Sequence, residues 1–187
     1  LLHPEPFWDF YRSVMLYPDA KPNTAHQTLA EMEKAGRLTA VVTQNIDGLH
    51  QAAGSEKVYE LHGSVHRNYC LTCGRRFTLQ DILPMDTVPR CPHCGGMIRP
   101  DVVMYGEPLE DDVTGGALQR IRTCDLLIVG GTSLVVYPAA GMIQYRRARC
   151  NLVLINREET AYDRQAELVI HEDIGSVLSS AWKLAQE

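Results

Sequence analysis

The tightest constraint on this chain is the spacing of four cysteines. Cys70, Cys73, Cys91 and Cys94 read C-x2-C-x17-C-x2-C, inside the range of a four-thiolate zinc site, with Gly74, Gly95 and Gly96 easing the turn at each pair. Four sulfurs complete a tetrahedral shell and leave no position for water or substrate, so such a site braces the fold and performs no chemistry. A stretch of about 30 residues buries too little apolar area to fold alone, and structural zinc, at roughly 10–16 kcal/mol, supplies what is missing. Free or disulfide-bonded cysteines are the competing reading. His93 lies between the last pair, but four sulfurs suffice without it.

The remainder can bury a core, since 45% of the 187 residues are apolar. No run of about 18 apolar residues is present, and Leu1-Leu2-His3-Pro4-Glu5 lacks the basic start and apolar stretch of a signal peptide. We therefore expect a soluble chain with no membrane partner, in the cytoplasmic, reducing compartment, where cysteines stay as thiols or metal ligands. A net charge of -5 argues against direct nucleic-acid binding, which rests on Lys and Arg, although a local basic patch remains open. Cys124 and Cys150, beside the apolar runs Leu126-Leu127-Ile128-Val129 and Leu152-Val153-Leu154-Ile155, read as small hydrophobes with no activating base nearby in sequence.

Phe7, Phe10, Tyr11, Val14 and Met15 recur at helical spacing within 6–17, stopped by Pro18. A second helix is expected from Thr24 to Lys34, capped by Asn23 or Thr24 and ended by Gly36. Short apolar runs at Leu38 to Thr43, Val58 to Leu61, Asp125 to Gly130, Leu152 to Asn156 and Glu167 to Ile170 read as strands of a parallel sheet buried on both faces. Helices fit around 112–122 and 138–148, and a last one carries Ile174, Val177, Leu178, Ala181, Trp182 and Ala185 on one face. The alternation predicts an α/β fold: a doubly wound, mostly parallel, Rossmann-like sheet with a small inserted zinc-ribbon module. The expected divisions are 1–22 as part of a small helical domain, 23–66 with 99–187 as the Rossmann-like domain, and 67–98 as the zinc module.

Ligands of such sheets sit at the carboxyl ends of strands, where three polar clusters fall. Thr43-Gln44-Asn45-Ile46-Asp47 follows the first strand; its amides and carboxylate suit a ribose or an amide, or serve as caps and turn formers. His62-Gly63-Ser64 follows the second, and a lone histidine there is more often structural than catalytic. Gly130-Gly131-Thr132-Ser133 follows the most apolar strand, with glycines for close backbone approach and hydroxyls for phosphate, yet it is neither G-x-G-x-x-G nor a P-loop.

Order separates these readings. Thr43-Gln44-Asn45-Ile46-Asp47, then Glu60-Leu61-His62-Gly63-Ser64, the paired C-x-x-C motifs, Arg99-Pro100-Asp101-Val102-Val103-Met104-Tyr105-Gly106-Glu107 and Gly131-Thr132-Ser133-Leu134-Val135-Val136-Tyr137-Pro138 stand in one register. That register resembles the sirtuin family, NAD-dependent protein-lysine deacetylases of bacterial type, from about residue 4 to the end. The resemblance implies NAD and zinc as cofactors and acetylated proteins or peptides as partners. It implies that Gln44, Asn45, Ile46 and Asp47 line the nicotinamide and ribose pocket. Gly131, Thr132 and Ser133 would meet the phosphates, Asn156, Arg157 and Glu158 the adenosine ribose, and Ile174 the adenine. His62 becomes the general base. In the family's chemistry the acyl-lysine carbonyl oxygen attacks the nicotinamide ribose, nicotinamide leaves, and the histidine helps a ribose hydroxyl attack the imidate, giving lysine and acyl-ADP-ribose. An imidazole, which takes up a proton around neutral pH, suits that task. Val103, Tyr105, Gly106, Glu107 and Val136 would bind substrate, the peptide adding as a strand and Tyr105 and Val136 flanking the acyl-lysine; as residue types, the last two serve equally as core.

Two departures matter. Sirtuins ordinarily begin with a Gly-Ala-Gly-x-Ser strand turn and a Gly-Ile-Pro-Asp-Phe-Arg loop; neither occurs here, which implies that the first strand of the sheet is absent from these 187 residues, leaving an unpaired edge, half of the phosphate cradle and impaired activity for this stretch alone. Members that favour succinyl or malonyl lysine carry Tyr-x-x-Arg in the early helical segment, whereas Tyr11 is followed three residues on by Val14, so acetyl or other uncharged acyl groups are expected. Two other functions compete: a catalytically impaired zinc-ribbon module that binds ADP-ribose or acyl-lysine, and an NAD-dependent mono-ADP-ribosyltransferase.

Overall fold

Pro4 fills the first turn of α1 (Pro4–Phe10), where its missing N–H costs nothing. The chain then continues as a π-helical turn over Tyr11–Met15, so the helix expected over 6–17 changes its hydrogen-bond pattern midway. The computed structural model describes residues 3–187; Leu1 and Leu2, the head of the expected helical segment, lie outside the described residues. In α2 (Thr24–Lys34) a reciprocal cap forms: the His26 N–H donates to Asn23 Oδ1 at 3.2 Å and the Asn23 N–H to His26 Nδ1 at 3.3 Å. The expected strand from Leu38 starts only at Val41, because the Leu38 N–H is spent on the Met32 carbonyl in closing α2.

Next come β1 (Val41–Thr43), α3 (Leu49–Ala52) and β2 (Val58–Glu60), with β1 and β2 parallel in the register Val41↔Val58. They are followed by β3 (Gly63–Cys70), β4 (Arg76–Phe77), α4 (Leu79–Ile82) and β5 (Ile98–Val102), which form an antiparallel sheet in the order β4-β3-β5. Then come α5 (Asp111–Thr123), β6 (Leu126–Gly130), a 3-10 stretch over Ala139–Tyr145, β7 (Asn151–Ile155), β8 (Leu168–Ile170) and α6 (Ile174–Leu184). The 3-10 stretch replaces the α-helix expected around 138–148. Three residues per turn stack Ala139 over Met142 and Ala140 over Ile143, and all four are buried.

The parallel strands expected from the apolar runs are present. Among the described residues they form two sheets, β1-β2 and β6-β7-β8, with no strand pairing to both. Alternation along β7 feeds opposite cores. Leu152 and Leu154 join Leu134, Ala140, Ile143 and Tyr162 on one face, while Val153 and Ile155 meet Ala25 of α2 and Leu178 of α6 on the other.

Two units result. One comprises the N-terminal segment through Ala20, Asn45–Gly48 and His62–Leu109, around a core of Trp8, Tyr11, Val65, Cys70, Leu79, Ile82, Cys91, Ile98 and Val102. The other comprises Lys21–Gln44, Leu49–Leu61 and Glu110–Glu187, with the two cores flanking β7. Among the described residues, no helix is long and apolar enough to cross a membrane.

Candidate functional site

The cysteine spacing closes in space as it does in sequence. The four Sγ atoms lie within 4.8 Å of one another, with Cys70 to Cys94 at 3.5 Å and Cys73 to Cys91 at 3.8 Å. A tetrahedral zinc with bonds of roughly 2.3 Å needs sulfurs about 3.8 Å apart, so the cluster is close to the spacing the ion requires. The Thr72 N–H donates to Cys70 Sγ at 3.4 Å. The Cys73 N–H, first among several donors, draws the Cys70 thiol down to about 6. Cys94 goes the other way: the Gly96 N–H pulls it down, but the Cys73 sulfur and burial push it up to about 12. Four sulfurs this close cannot all ionise unaided, and a divalent cation removes the conflict.

His62 stands between β2 and β3 on a backbone with little freedom. The Val103 N–H donates to the His62 carbonyl at 3.0 Å, and Gly63, at φ +79°, pairs with Val102. A β-carbon at Gly63 would lie 2.0 Å from the Asp101 carbonyl oxygen, so only glycine lets β3 and β5 meet here. Three expected pocket residues belong to the same unit. The Val65 N–H donates to the Ile46 carbonyl at 2.9 Å, and His66 Nε2–H donates to the Asp47 carbonyl at 3.0 Å, which seats Asn45, Ile46 and Asp47 against β3. The expected substrate residues form a turn beyond β5. The Glu107 carboxylate accepts from the Met104 N–H at 3.0 Å and from Arg99, which hold it below the usual carboxylate range, the guanidinium foremost. Gly106 takes φ +85° in this turn, and Tyr105 projects fully exposed.

In the other unit an open cavity of about 290 Å³ lies at the carboxyl ends of β6 and β7. Gly131, Thr132, Ser133, Asn156, Arg157, Glu158 and Ile174, seven residues separated by up to 43 positions in sequence, line it together. Gln44 joins them, its Nε2–H reaching Thr132 Oγ1 at a long 3.5 Å. Gly130 makes the convergence possible, since a β-carbon there would meet Ile174 Cδ1 at 2.4 Å and the Ile155 carbonyl oxygen at 2.7 Å. Ile155, Glu172 and Asp173 also line the cavity and escaped the sequence reading. Asp173 carried a signal, for Asp three residues before Ser176 is a helix cap, and Asp173 Oδ1 accepts the Ser176 N–H at 3.0 Å. Apolar Ile155 and Ile174 suit a flat base, carboxylates suit ribose hydroxyls, and the Gly131–Ser133 turn suits phosphate. Val136, in this unit, is exposed, as are its neighbours Val135 and Tyr137.

Parallel strands with a ligand-sized cavity at their carboxyl ends, joined in one chain to a four-cysteine module, define an α/β protein of the nucleotide-binding kind. The sequence model described as the Sir2 family matches residues 2–138. The chain belongs to that family. It is 55% identical over 179 residues to an NAD-dependent protein deacetylase of Clostridium acetobutylicum, covering 95% of this chain and 73% of the relative. A solved Sir2–p53 peptide–NAD+ complex superposes with a TM-score of 0.92 at 40% identity, over 99% of this chain and 79% of that one. A Sir2 complex with 2′-O-acetyl-ADP-ribose and deacetylated p53 peptide does so with a TM-score of 0.90 at 39% identity, over 99% and 81%.

Proposed function

We propose that this chain is the catalytic domain of an NAD-dependent protein deacylase, removing acetyl or other uncharged acyl groups from protein lysine and giving nicotinamide and O-acyl-ADP-ribose. The observation that carries the reading is the cavity at the ends of β6 and β7, where residues chosen from separate motifs converge in a chain 55% identical to a deacetylase. NAD, when bound, supplies an electrophilic ribose carbon with nicotinamide as its leaving group.

The chain's residues then bind and move protons. Gly131, Thr132 and Ser133 take the phosphates; Asn156, Arg157 and Glu158 take the adenosine ribose, and Ile174 packs on the base. Gln44, Asn45, Ile46 and Asp47 hold the nicotinamide half. His62 accepts the proton from a ribose hydroxyl, and Val103, Tyr105, Gly106, Glu107 and Val136 position the acyl-lysine peptide. Cys70, Cys73, Cys91 and Cys94 hold zinc and stay out of the chemistry. By function, residues 67–98 serve as the zinc module, 23–66 with 99–187 as the NAD-binding domain, and 1–22 as part of a small helical domain. An uncharged acyl group follows from the early helical segment: Tyr11 is buried in the core, and the Arg12 guanidinium is committed to four backbone carbonyls. A cytoplasmic location fits the gathering of four cysteines as metal ligands.

The test incubates the full-length polypeptide with NAD and an acetyl-lysine peptide and follows nicotinamide and the deacetylated peptide by mass spectrometry. Equal yields of both are expected, and His62→Ala should abolish deacetylation while fold and zinc content survive. Nicotinamide release without loss of acetyl would replace this reading with ADP-ribosyl transfer. Absence of turnover with acetyl, propionyl and butyryl peptides would replace it with a binding module.

A further inference from the structure

Two cysteines outside the cluster lie side by side. Cys124 closes α5, its N–H donating to the Arg120 carbonyl at 3.0 Å, and Cys150 immediately precedes β7. The register Leu126↔Asn151 puts both at the amino end of the β6-β7 ladder, where the Asn151 N–H donates to the Asp125 carbonyl at 2.9 Å. Their sulfurs are 3.5 Å apart, although 26 positions separate them in sequence. Cys150 is buried, at 3% exposure, while Cys124 is only partly covered, so Cys124 is the more accessible residue of the pair. Neither belongs to the cavity or the four-cysteine cluster.

We propose that Cys124 and Cys150 form an oxidation-sensitive dithiol, a modification site that hydrogen peroxide converts to an intramolecular disulfide. The Cys124 sulfur, as thiolate, attacks one peroxide oxygen; the O–O bond breaks, a sulfenic acid forms, and the departing hydroxide takes up the thiol proton as water. The Cys150 sulfur then attacks the Cys124 sulfur, the S–O bond breaks, and the second hydroxide leaves as water with the Cys150 proton. The sulfur pair loses two electrons and the peroxide is reduced to two waters. Closing from 3.5 Å to a bond of about 2.0 Å is a small side-chain movement, and the nearby sulfur intercepts the sulfenic acid before further oxidation. Burial, and after it the Cys150 sulfur, push the Cys124 thiol up to about 11, so the reaction is slow and answers sustained oxidant. The bond would tie the end of α5 to the start of β7, at the opposite end of the ladder from Gly130 and Ile155, and so leave the cavity in place.

Zinc-loaded protein is treated with hydrogen peroxide, remaining thiols are alkylated, and peptides are mapped by mass spectrometry with zinc measured on the same sample. A Cys124–Cys150 cross-link lacking two hydrogens, with zinc retained, is expected. Oxidised wild type should unfold at a higher temperature than reduced, dithiothreitol should reverse the shift, and Cys124→Ser should show none. Cys150→Ala, which leaves Cys124 without its trap, should stop at sulfenic or sulfinic acid. Alkylatable Cys124 and Cys150 after peroxide, a sulfinic acid at Cys124 in wild type, or a cross-link formed only in denaturant would each overturn the proposal.

Discussion

A methyl group at Gly63 has nowhere to go. Its position, 2.0 Å from the Asp101 carbonyl oxygen, combines with φ +79° to make Gly63→Ala doubly incompatible with the β3-β5 pairing that anchors His62. We expect a loss of more than ~1 kcal/mol in chemical denaturation, and an unchanged midpoint would show that the two strands separate at little cost. Arg12 is a second single-residue joint: its guanidinium donates to the carbonyls of Leu83 at 3.1 Å, Ile82 and Met85 at 3.3 Å and Asp86 at 3.0 Å, just where α4 runs out of partners. Arg12→Ala should cost roughly 1–3 kcal/mol, and Arg12→Lys should recover only part, because one ammonium cannot fork across four acceptors. The motif around His62 marked Gly63 as present. Its necessity came from a strand 38 residues away in sequence.

Helix and strand ends carry the next layer. Asp81 accepts the Thr78 N–H at the head of α4, the Thr160 hydroxyl and amide hold Asp163, and the Ser176 N–H holds Asp173 at the head of α6. These contacts lower all three carboxyls below the usual range, the Thr78 amide, the Thr160 hydroxyl and the Ser176 amide being the largest causes in turn. A carboxyl depressed on folding stabilises above its unfolded pKa, near ~4, and that contribution is lost as pH falls through the lower, folded value. Acid should therefore loosen these ends first. In an acid titration by circular dichroism, Asp173→Asn should show a smaller loss below pH ~4 than wild type, and an equal loss would remove the α6 cap from the account. Periodicity located these elements well but misplaced ends and types: the run from Leu38 begins pairing only at Val41, and the helix expected around 138–148 is a 3-10 stretch that buries Ala139 with Met142 and Ala140 with Ile143. Backbone competition and burial on two sides leave no mark in a periodic pattern.

Across the whole molecule, the four-cysteine cluster is continuous with a core. Cys70 and Cys91 pack with Trp8, Tyr11, Leu79, Ile82 and Ile98, so the segment before Ala20 and the cysteine module share one interior. Elemental analysis should give about one zinc per chain, and chelation should release the Trp8 environment as well as the module. In a Trp182→Phe background, a red shift of fluorescence on chelator addition would report it; unchanged emission would show that this core stands without the metal.

Residue types and their spacing sufficed for the four-thiolate cluster, the alternation of helices with parallel strands, and the register of motifs that identified the family. Those properties are local, or depend on order along the chain, and a linear pattern carries both. Tertiary structure alone decided that Ile155, Glu172 and Asp173 complete the cavity around Gly131, Asn156 and Ile174, and that Glu107 is spent on Arg99. It also decided that Cys124 and Cys150, each beside its own strand, touch. Convergence of this kind depends on which strand ends lie side by side and how closely backbones approach, as at Gly130. Strand neighbours are chosen by burial of whole faces, which no single stretch of sequence encodes.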